Sequence, residues 1–513
     1  MQPRKLDVLF VNPDSSFKAY QALSKDFSAI EPPTWALLLA QSCRAKGFGV
    51  GILDCGAERL GINDSIERII GADPRLVCFV VYGQNPNSGT TNMAGAHDLC
   101  AQLKEQYPQY VTCFVGSHTS ALPKEVLAWD CVDFVLLNEG VYALHNVLQT
   151  DLKEHIEQVK GIGYKKQGVL ILNPPERVVP QDRMDVDLPG YAWDLLPYRE
   201  KPLDLYRSHF WHAEFNHELR TPFVALYTGL GCKFKCDFCM VNIVNRVDNT
   251  DGVVASHSPT VRFWSPEFMI GEFEKLAELG VKTVRISDEM FFLNRKFFEP
   301  LLNLVVERGF KFRMWAYSRI DTVQPQHLDL FKRAGINWLA LGIEAANLVI
   351  RQEVSKGSFK DMSIRKVVSE IGRHDMNIIA NYIFGLPDDS LKTMQETLDL
   401  SLELNTETAN MFPCQGLPGS ALYYLAKSNG WALPDSYAGY AFLSYESQPL
   451  PTKYCTAAEV LRFRDDAWKK YFSNPAYLSL VERKFGANQR RNVEAMSKIK
   501  LRRKLLGDPP PGP

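Results

Sequence analysis

At 513 residues the chain is long enough for more than one domain, because single hydrophobic cores stop growing near ~250–300 residues. Hydrophobic residues make up 46% and charged residues 23%, the balance of an ordinary globular protein, and the formal net charge of -1 offers no basic field for nucleic acid. No apolar run nears the ~20 residues of a membrane span, and no long apolar stretch follows Arg4 and Lys5 as in a signal peptide, so a cytoplasmic protein without a membrane or nucleic-acid partner is expected.

Residues 1–150 alternate short apolar runs with helical patterns. Strands are expected at 6–11, 50–53, 76–82, 111–115 and 132–136, and helices at 35–46 and 94–106. That alternation predicts a doubly wound parallel sheet, in which ligands sit beyond the carboxyl ends of the strands. The turn-rich segments all fall at that edge: Asn12 to Asp14, Gly83 to Gly89, Gly116 to Thr119 and Asn138 to Gly140. No G-x-G-x-x-G follows the first strand, which leaves little for a dinucleotide reading.

Residues 151–220 are mixed and Pro-rich and are expected to be a linker with a small hairpin, 161–168 to 170–173. His209, His212 and His217 close it. The spacing of His209 and His212 fits one helix face and makes a metal conceivable. Without an accompanying carboxylate or Cys cluster, a packing or surface role is the favoured reading.

From 221 to 430 the β-then-α alternation resumes. Strands are expected at 223–228, 283–286, 312–317, 338–343, 378–384 and 408–412, with helices at 266–279, 361–374 and 391–404. Six β/α units are too few for a closed eight-unit barrel and fit an open one, with its chemistry at the C-terminal strand ends. The run from Gly231 to Met240 holds Cys232, Cys236 and Cys239 in a C-x3-C-x2-C spacing. Three thiolates can hold three irons of a [4Fe–4S] cube and leave the fourth iron open. Structural zinc usually takes four ligands, and the nearest downstream Cys or His is His257. A disulfide would leave one cysteine over, and the eight other cysteines read as buried small hydrophobes. Polar residues recur at the strand ends: Asp288 and Glu289, then Ser318, Arg319 and Asp321, then Glu344, then the turns from Gly385 to Asp388 and from Gln415 to Gly419.

Residues 431–513 carry aromatic residues between Tyr437 and Tyr445, a helical stretch at 456–472, a basic run at 498–504 and a Pro-rich tail. The aromatics are expected in the core or at a substrate pocket, the basic run on a solvated face, and the tail disordered.

Several of these motifs resemble known families. Phe238 before the last cysteine, Gly342-Ile343-Glu344, Gly385-Leu386-Pro387 and Pro418-Gly419 resemble the radical S-adenosylmethionine (SAM) superfamily. The run from Gly116 to Pro123 and the turn Asn138-Glu139-Gly140 resemble the cobalamin-binding domain that precedes many such enzymes. The resemblance implies an α/β protein: a Rossmann-like cobalamin-binding sheet, a partial (β/α)6 TIM-type barrel and a mostly helical C-terminal segment. It implies three cofactors, a [4Fe–4S] cluster, SAM and cobalamin, and an electron donor such as flavodoxin or ferredoxin. Cys232, Cys236 and Cys239 would ligate the cluster, whose open iron would take the amino and carboxylate groups of SAM. Arg319 is a candidate partner of the SAM carboxylate. Glu344 is a candidate acceptor for the SAM amine or ribose, against a plain salt bridge within the barrel. Asp288 and Glu289 would touch SAM or substrate, or stand as a solvated strand end; Phe238 and Gly385 complete this set. Ser117, His118, Thr119, Glu139 and Gly140 would lie along cobalamin, with His118 equally suited to stabilising its turn.

Two departures stand out. The loop from Asn12 to Phe17 lacks the histidine of cobalamin domains that ligate cobalt, which implies a lower face without a protein histidine. The run from Ile286 to Met290 replaces the Gly-Gly-Glu that often meets the SAM amine. The activity implied is methylation of an unactivated carbon, or phosphorus, of a small-molecule biosynthetic intermediate, through a 5′-deoxyadenosyl radical and methylcobalamin. The alternatives are a cyclisation or rearrangement without methyl transfer, and a non-catalytic iron–sulfur protein.

Overall fold

A computed structural model describes residues 6–83, 85–152, 155–209, 211, 222–353 and 364–511. His212 and His217 lie outside the described residues, as does Gln84 in the turn-rich segment Gly83 to Gly89.

The first sheet contains β1 (Leu6–Asn12), β2 (Val50–Asp54), β3 (Pro74–Val81), β4 (Val111–Gly116) and β5 (Phe134–Leu136), all parallel, in the order β2-β1-β3-β4-β5. Its strands follow the period of two that a two-faced sheet requires. Val8, Phe10, Cys78 and Val80 face the core shared with the second sheet, whereas Leu9, Val11, Val77 and Phe79 face the helices Ile62–Ala72 and Gly89–Gln106. The hairpin β6 (Ile162–Lys166) and β7 (Val169–Leu172), expected in the linker, instead extends this sheet. Leu136 pairs with Ile162 and Phe134 with Tyr164, antiparallel, which buries the apolar start of β6 against β5.

The helix Thr34–Ala45 has an almost continuous buried run from Thr34 to Ala40. A helix apolar on all sides needs protein on all sides. This one gets it by lying between the two sheets: Thr34 Oγ1 donates to Ala225 O at 3.0 Å, and Ala192 N donates to Leu37 O at 3.3 Å.

The second sheet begins with β8 (Phe223–Leu226). A short antiparallel pair, β9 (Gly229–Gly231) and β10 (Val261–Phe263), interrupts it. It continues through β11 (Thr283–Ile286), β12 (Arg313–Arg319), β13 (Ile336–Glu344), β14 (Asn377–Phe384) and β15 (Thr408–Pro413). The six long strands are parallel and lie in chain order from β8 to β15, so the sheet curls as an open half-barrel. β8 stops short of the expected 223–228, because Asp288 draws Thr228 out of register by accepting from its N–H at 2.6 Å and its hydroxyl at 2.7 Å.

The end of the expected linker fills the inside of the curl. His209 stacks on Trp211 at 5.3 Å, and both rings meet Trp315. Packing is therefore what His209 does, and its Nε2 lies 3.2 Å from Glu31. Glu31 in turn accepts from Arg285 Nη1 at 2.7 and 2.6 Å, a buried ion pair joining the first domain to β11.

The C-terminal part folds as the helices Ala421–Asn429, Ala457–Phe472, Pro475–Phe485 and Ala487–Ser497. Thr456 and Glu459 form a reciprocal capping box at the start of the second of these. The basic run is not a solvated face throughout: Arg503 is buried and paired with Asp465 at 2.8 Å. The tail expected to be disordered is held at its start, where Asp508 accepts from Arg503 N at 2.9 Å.

Candidate active site

The cysteine loop leaves β9 through Gly231, whose φ of +93° and whose closeness to Thr260 O, 2.2 Å from where a Cβ would stand, admit only glycine. The loop then folds around one side chain, Asn242, which accepts from Cys232 N at 2.8 Å and donates to Phe234 O at 3.2 Å. Cys236 is buried and Cys232 and Cys239 are half-buried. Phe234 N donates toward Cys232 Sγ at 3.5 Å, and Asn87 Nδ2 toward Cys239 Sγ at 3.7 Å. Burial pushes the Cys239 thiol far up, and the nearby Glu289 carboxylate adds to the shift. Lone thiolates are unstable in such a place, whereas thiolates bound to iron are neutralised by it and stabilised by N–H···S bonds. Among the described residues no group of three His, Cys, Asp or Glu closes around a single metal ion, and the eight other cysteines are buried and unpaired by disulfides. The donor set, three cysteines of one loop with N–H donors aimed at two of the sulfurs, fits an iron–sulfur cluster.

All three cysteines line one cavity of about 340 Å³, within the range of small-molecule sites. Glu289, Arg319, Glu344 and Phe238 line it too. Arg319 is fixed twice: Nε and Nη2 donate to Asp321 at 2.9 and 2.6 Å, and its guanidinium lies 3.9 Å from the Phe234 ring centre. Glu344 has a φ of +66°, at a register shift between β13 and β14. Left-handed backbone in a non-glycine residue at a strand end is strain of the kind that collects at functional sites. Asp288 and Gly385 do not line the cavity. Asp288 bridges to Thr228 behind the loop, its carboxyl raised to about 7 by burial. Gly385, with φ +83°, lies where a Cβ would come within 2.4 Å of Val460, and its N–H is held by Asp389 at 3.1 Å.

The opposite wall comes from the first domain. Tyr20, Asn85, Asn87, Ser88 and Thr91 face the same cavity, the last four from the turn and helix that follow β3. The segment from Gly116 to Thr119 packs behind that turn: a Cβ on Gly89 would overlap Ser117 Oγ at 1.9 Å. Ser117 Oγ and Thr119 Oγ1 are buried without a hydrogen-bond partner. His118 is enclosed, with Thr90 Oγ1 3.2 Å from Nδ1, Glu125 3.1 Å from Nε2 and Tyr437 edge-on at 5.1 Å. It thus ties the first domain to the C-terminal segment. Glu139 is committed elsewhere: it pairs with Arg262 of β10 at 2.8 Å and accepts from Val179 N. Gly140, with φ +79°, caps the turn by donating to Asn138 Oδ1 at 3.0 Å. An amide- and hydroxyl-rich strand edge with orphaned hydroxyls behind it suits the many amides of a corrin.

Residues 226–401 match the Radical SAM superfamily and residues 21–148 the B12 binding domain. The protein is a cobalamin-dependent radical SAM enzyme, with a [4Fe–4S] cluster, SAM and cobalamin as its cofactors. An uncharacterised methyltransferase of Pyrococcus horikoshii is 23% identical over 460 residues, which span 89% of this chain and 91% of that one. The anaerobic magnesium-protoporphyrin IX monomethyl ester cyclase of Rubrivivax gelatinosus is 22% identical, over 81% of this chain and 69% of its own. Two solved structures share the fold. The radical SAM methyltransferase TsrM from Kitasatospora setae, with tryptophan and a SAM analogue bound, has a TM-score of 0.63 at 16% identity, covering 96% of this chain and 98% of its own. The cobalamin-dependent SAM radical enzyme OxsB has a TM-score of 0.68 at 13% identity, covering 96% of this chain and 70% of its own.

Several cavity residues carry no signal in the sequence: Tyr20, Tyr317 and Asn381 sit in no motif, and reach the cavity only through the fold, whereas Asn87 stands in the turn-rich segment expected at the ligand-bearing edge. Phe234 was within sight, as an aromatic residue inside the cysteine run.

Proposed function

We propose that the protein is a methyltransferase acting on an unactivated carbon, or phosphorus, of a small biosynthetic intermediate. The observation that carries this is the single cavity walled by the cysteine loop, the strand ends of the half-barrel and the turn after β3 of the first domain. When bound, the cluster and SAM supply a radical source and cobalamin a methyl carrier. Cys232, Cys236 and Cys239 hold the cluster. Arg319, oriented by Asp321 and Phe234, pairs the SAM carboxylate. Glu344 and Glu289 accept from its amine or ribose. Asn85, Ser88 and Thr91 meet the corrin amides, backed by Ser117 and Thr119. His118, Glu139 and Gly140 hold the shape of this edge, and Asp288 and Gly385 hold that of the barrel mouth.

Much of the remaining wall, including Phe412, Tyr440, Phe442 and Leu443, is apolar and helps to exclude water from reactive species. Among the described lining residues only Glu289, Arg319 and Glu344 bring charge to the cavity, so an uncharged substrate body suits it better than a polyanion. The reducing electron comes from a separate donor of the flavodoxin or ferredoxin kind.

Anaerobically reconstituted protein is expected to hold iron and cobalt together and to release 5′-deoxyadenosine and methionine from SAM under reduction. With substrate and methyl-labelled SAM, label appears in the product. A labelled-SAM reaction that yields unlabelled product supports the second reading, cyclisation or rearrangement, which the likeness to the magnesium-protoporphyrin cyclase keeps in play.

A further inference from the structure

We infer that Asn87, a residue of the cobalamin-binding domain, is a positioning group for the cluster that sets its reduction potential through Cys239. The inference rests on the cluster reading above and not on methyl transfer. Asn87 lies 152 residues from Cys239 in sequence. Its Oδ1 accepts from the backbone N–H of Met240 at 2.8 Å. A backbone N–H cannot pair with an NH2 group, so this bond fixes which end of the amide is oxygen and turns Nδ2 toward Cys239 Sγ, 3.7 Å away. The turn is itself held, because Asn87 N donates to Asn85 Oδ1 at 2.9 Å. The amide is thus held through its oxygen by Met240 and through its own backbone by Asn85.

Hydrogen bonds to cluster sulfurs are among the levers that set reduction potential. An N–H···S bond stabilises the more negative, reduced cluster over the oxidised one, and so raises the potential. Asn85, Ser88 and Thr91 of the same turn and helix line the cavity beside it.

The test is a redox titration of the reduced cluster, followed by electron paramagnetic resonance, on full-length reconstituted protein with iron counted per chain. Asn87→Ala is expected to keep the full iron count and to shift the potential negative, by about 59 mV for each tenfold loss in the one-electron reduction constant. A loaded variant at the wild-type potential, or one shifted positive, overturns the inference. If Asn87→Ala takes up no cluster, Asn87→Leu keeps the size of the side chain, adds no charge and lacks the donor; it is read in the same way. Failure of both to take up iron overturns the tuning role in favour of a scaffolding one. Failure of the wild type to hold a cluster is a different result, and refutes the function proposed above.

Discussion

At the scale of single residues, burial decides what each polar group can do. Glu344 is held in left-handed backbone at the cavity edge. Glu344→Gln is expected to keep the iron count and to lower reductive SAM cleavage at least tenfold, measured as 5′-deoxyadenosine formed; an unchanged rate would remove Glu344 from the site. Asp54 shows the same physics away from the cavity. It is buried at the end of β2, accepts from Asn12 and Tyr206 at 2.9 Å each, and burial raises its carboxyl to about 6. A carboxyl with a raised native pKa binds its proton more tightly folded than unfolded. Its contribution to stability is therefore full below about pH 4 and is lost as the pH rises through about 6. Asp54→Asn is expected to flatten that part of the stability profile in urea unfolding measured across pH. An unflattened profile would mean that Asp54 titrates normally.

At the scale of elements, turns position the site more than strands do. Gly385 ends β14 and lets the helix Ala457–Phe472 sit against the strand end. Gly385→Ala combines positive φ with a contact that must shift, and is expected to cost about 1–3 kcal/mol in denaturant unfolding. The segment Tyr440 to Leu443 forms the apolar lid of the cavity, where Phe442 packs edge-on against Phe412 at 4.9 Å. It is pinned from both sides: Gln21 Nε2 donates to Leu443 O at 2.7 Å, and Arg503 Nη1 to Ser444 O at 2.7 Å. Phe442→Ala is expected to raise KM for substrate several-fold while leaving substrate-free SAM cleavage within about twofold, since the lid touches neither cysteines nor Arg319 in the contacts above.

At the scale of the molecule, two buried ion pairs among the described residues join the domains, Glu31 with Arg285 and Glu139 with Arg262. Removing one partner of a buried pair leaves a charge without compensation, at a cost of about 3–5 kcal/mol. Arg262→Met is accordingly expected to destabilise the protein strongly in urea, and Glu139→Met added to it to recover much of the loss. Additive losses would show that the two do not interact. Both pairs join charged residues far apart in the chain, Glu31 and Arg285 by 254 positions, and neither was legible beforehand. Glu139 looked like a cofactor residue because it stands in a turn at the ligand-bearing edge of the sheet, and sequence cannot say that an arginine arrives there from another sheet.

What the sequence determined by itself is local. Continuous apolar runs such as β3 and β4 specify strands buried on both faces, and eight of the eleven expected strands of the two sheets begin within one residue of those found; 76–82 and 338–343 begin two residues late, and 132–136 begins two early. The cysteine spacing, Glu344 in its Gly-Ile-Glu and Arg319 at a strand end are equally local, because ligand spacing and strand termini are properties of a few consecutive residues. Tertiary structure decided everything that depends on which surfaces meet. It made the linker hairpin an edge of the first sheet, turned Asp288 inward to Thr228, seated His209 among tryptophans, and brought Asn87 to Cys239. The reason is physical: periodicity reports which face of an element seeks a core, but the partner of a buried charge or amide is chosen only when the domains close and both groups lose their water together.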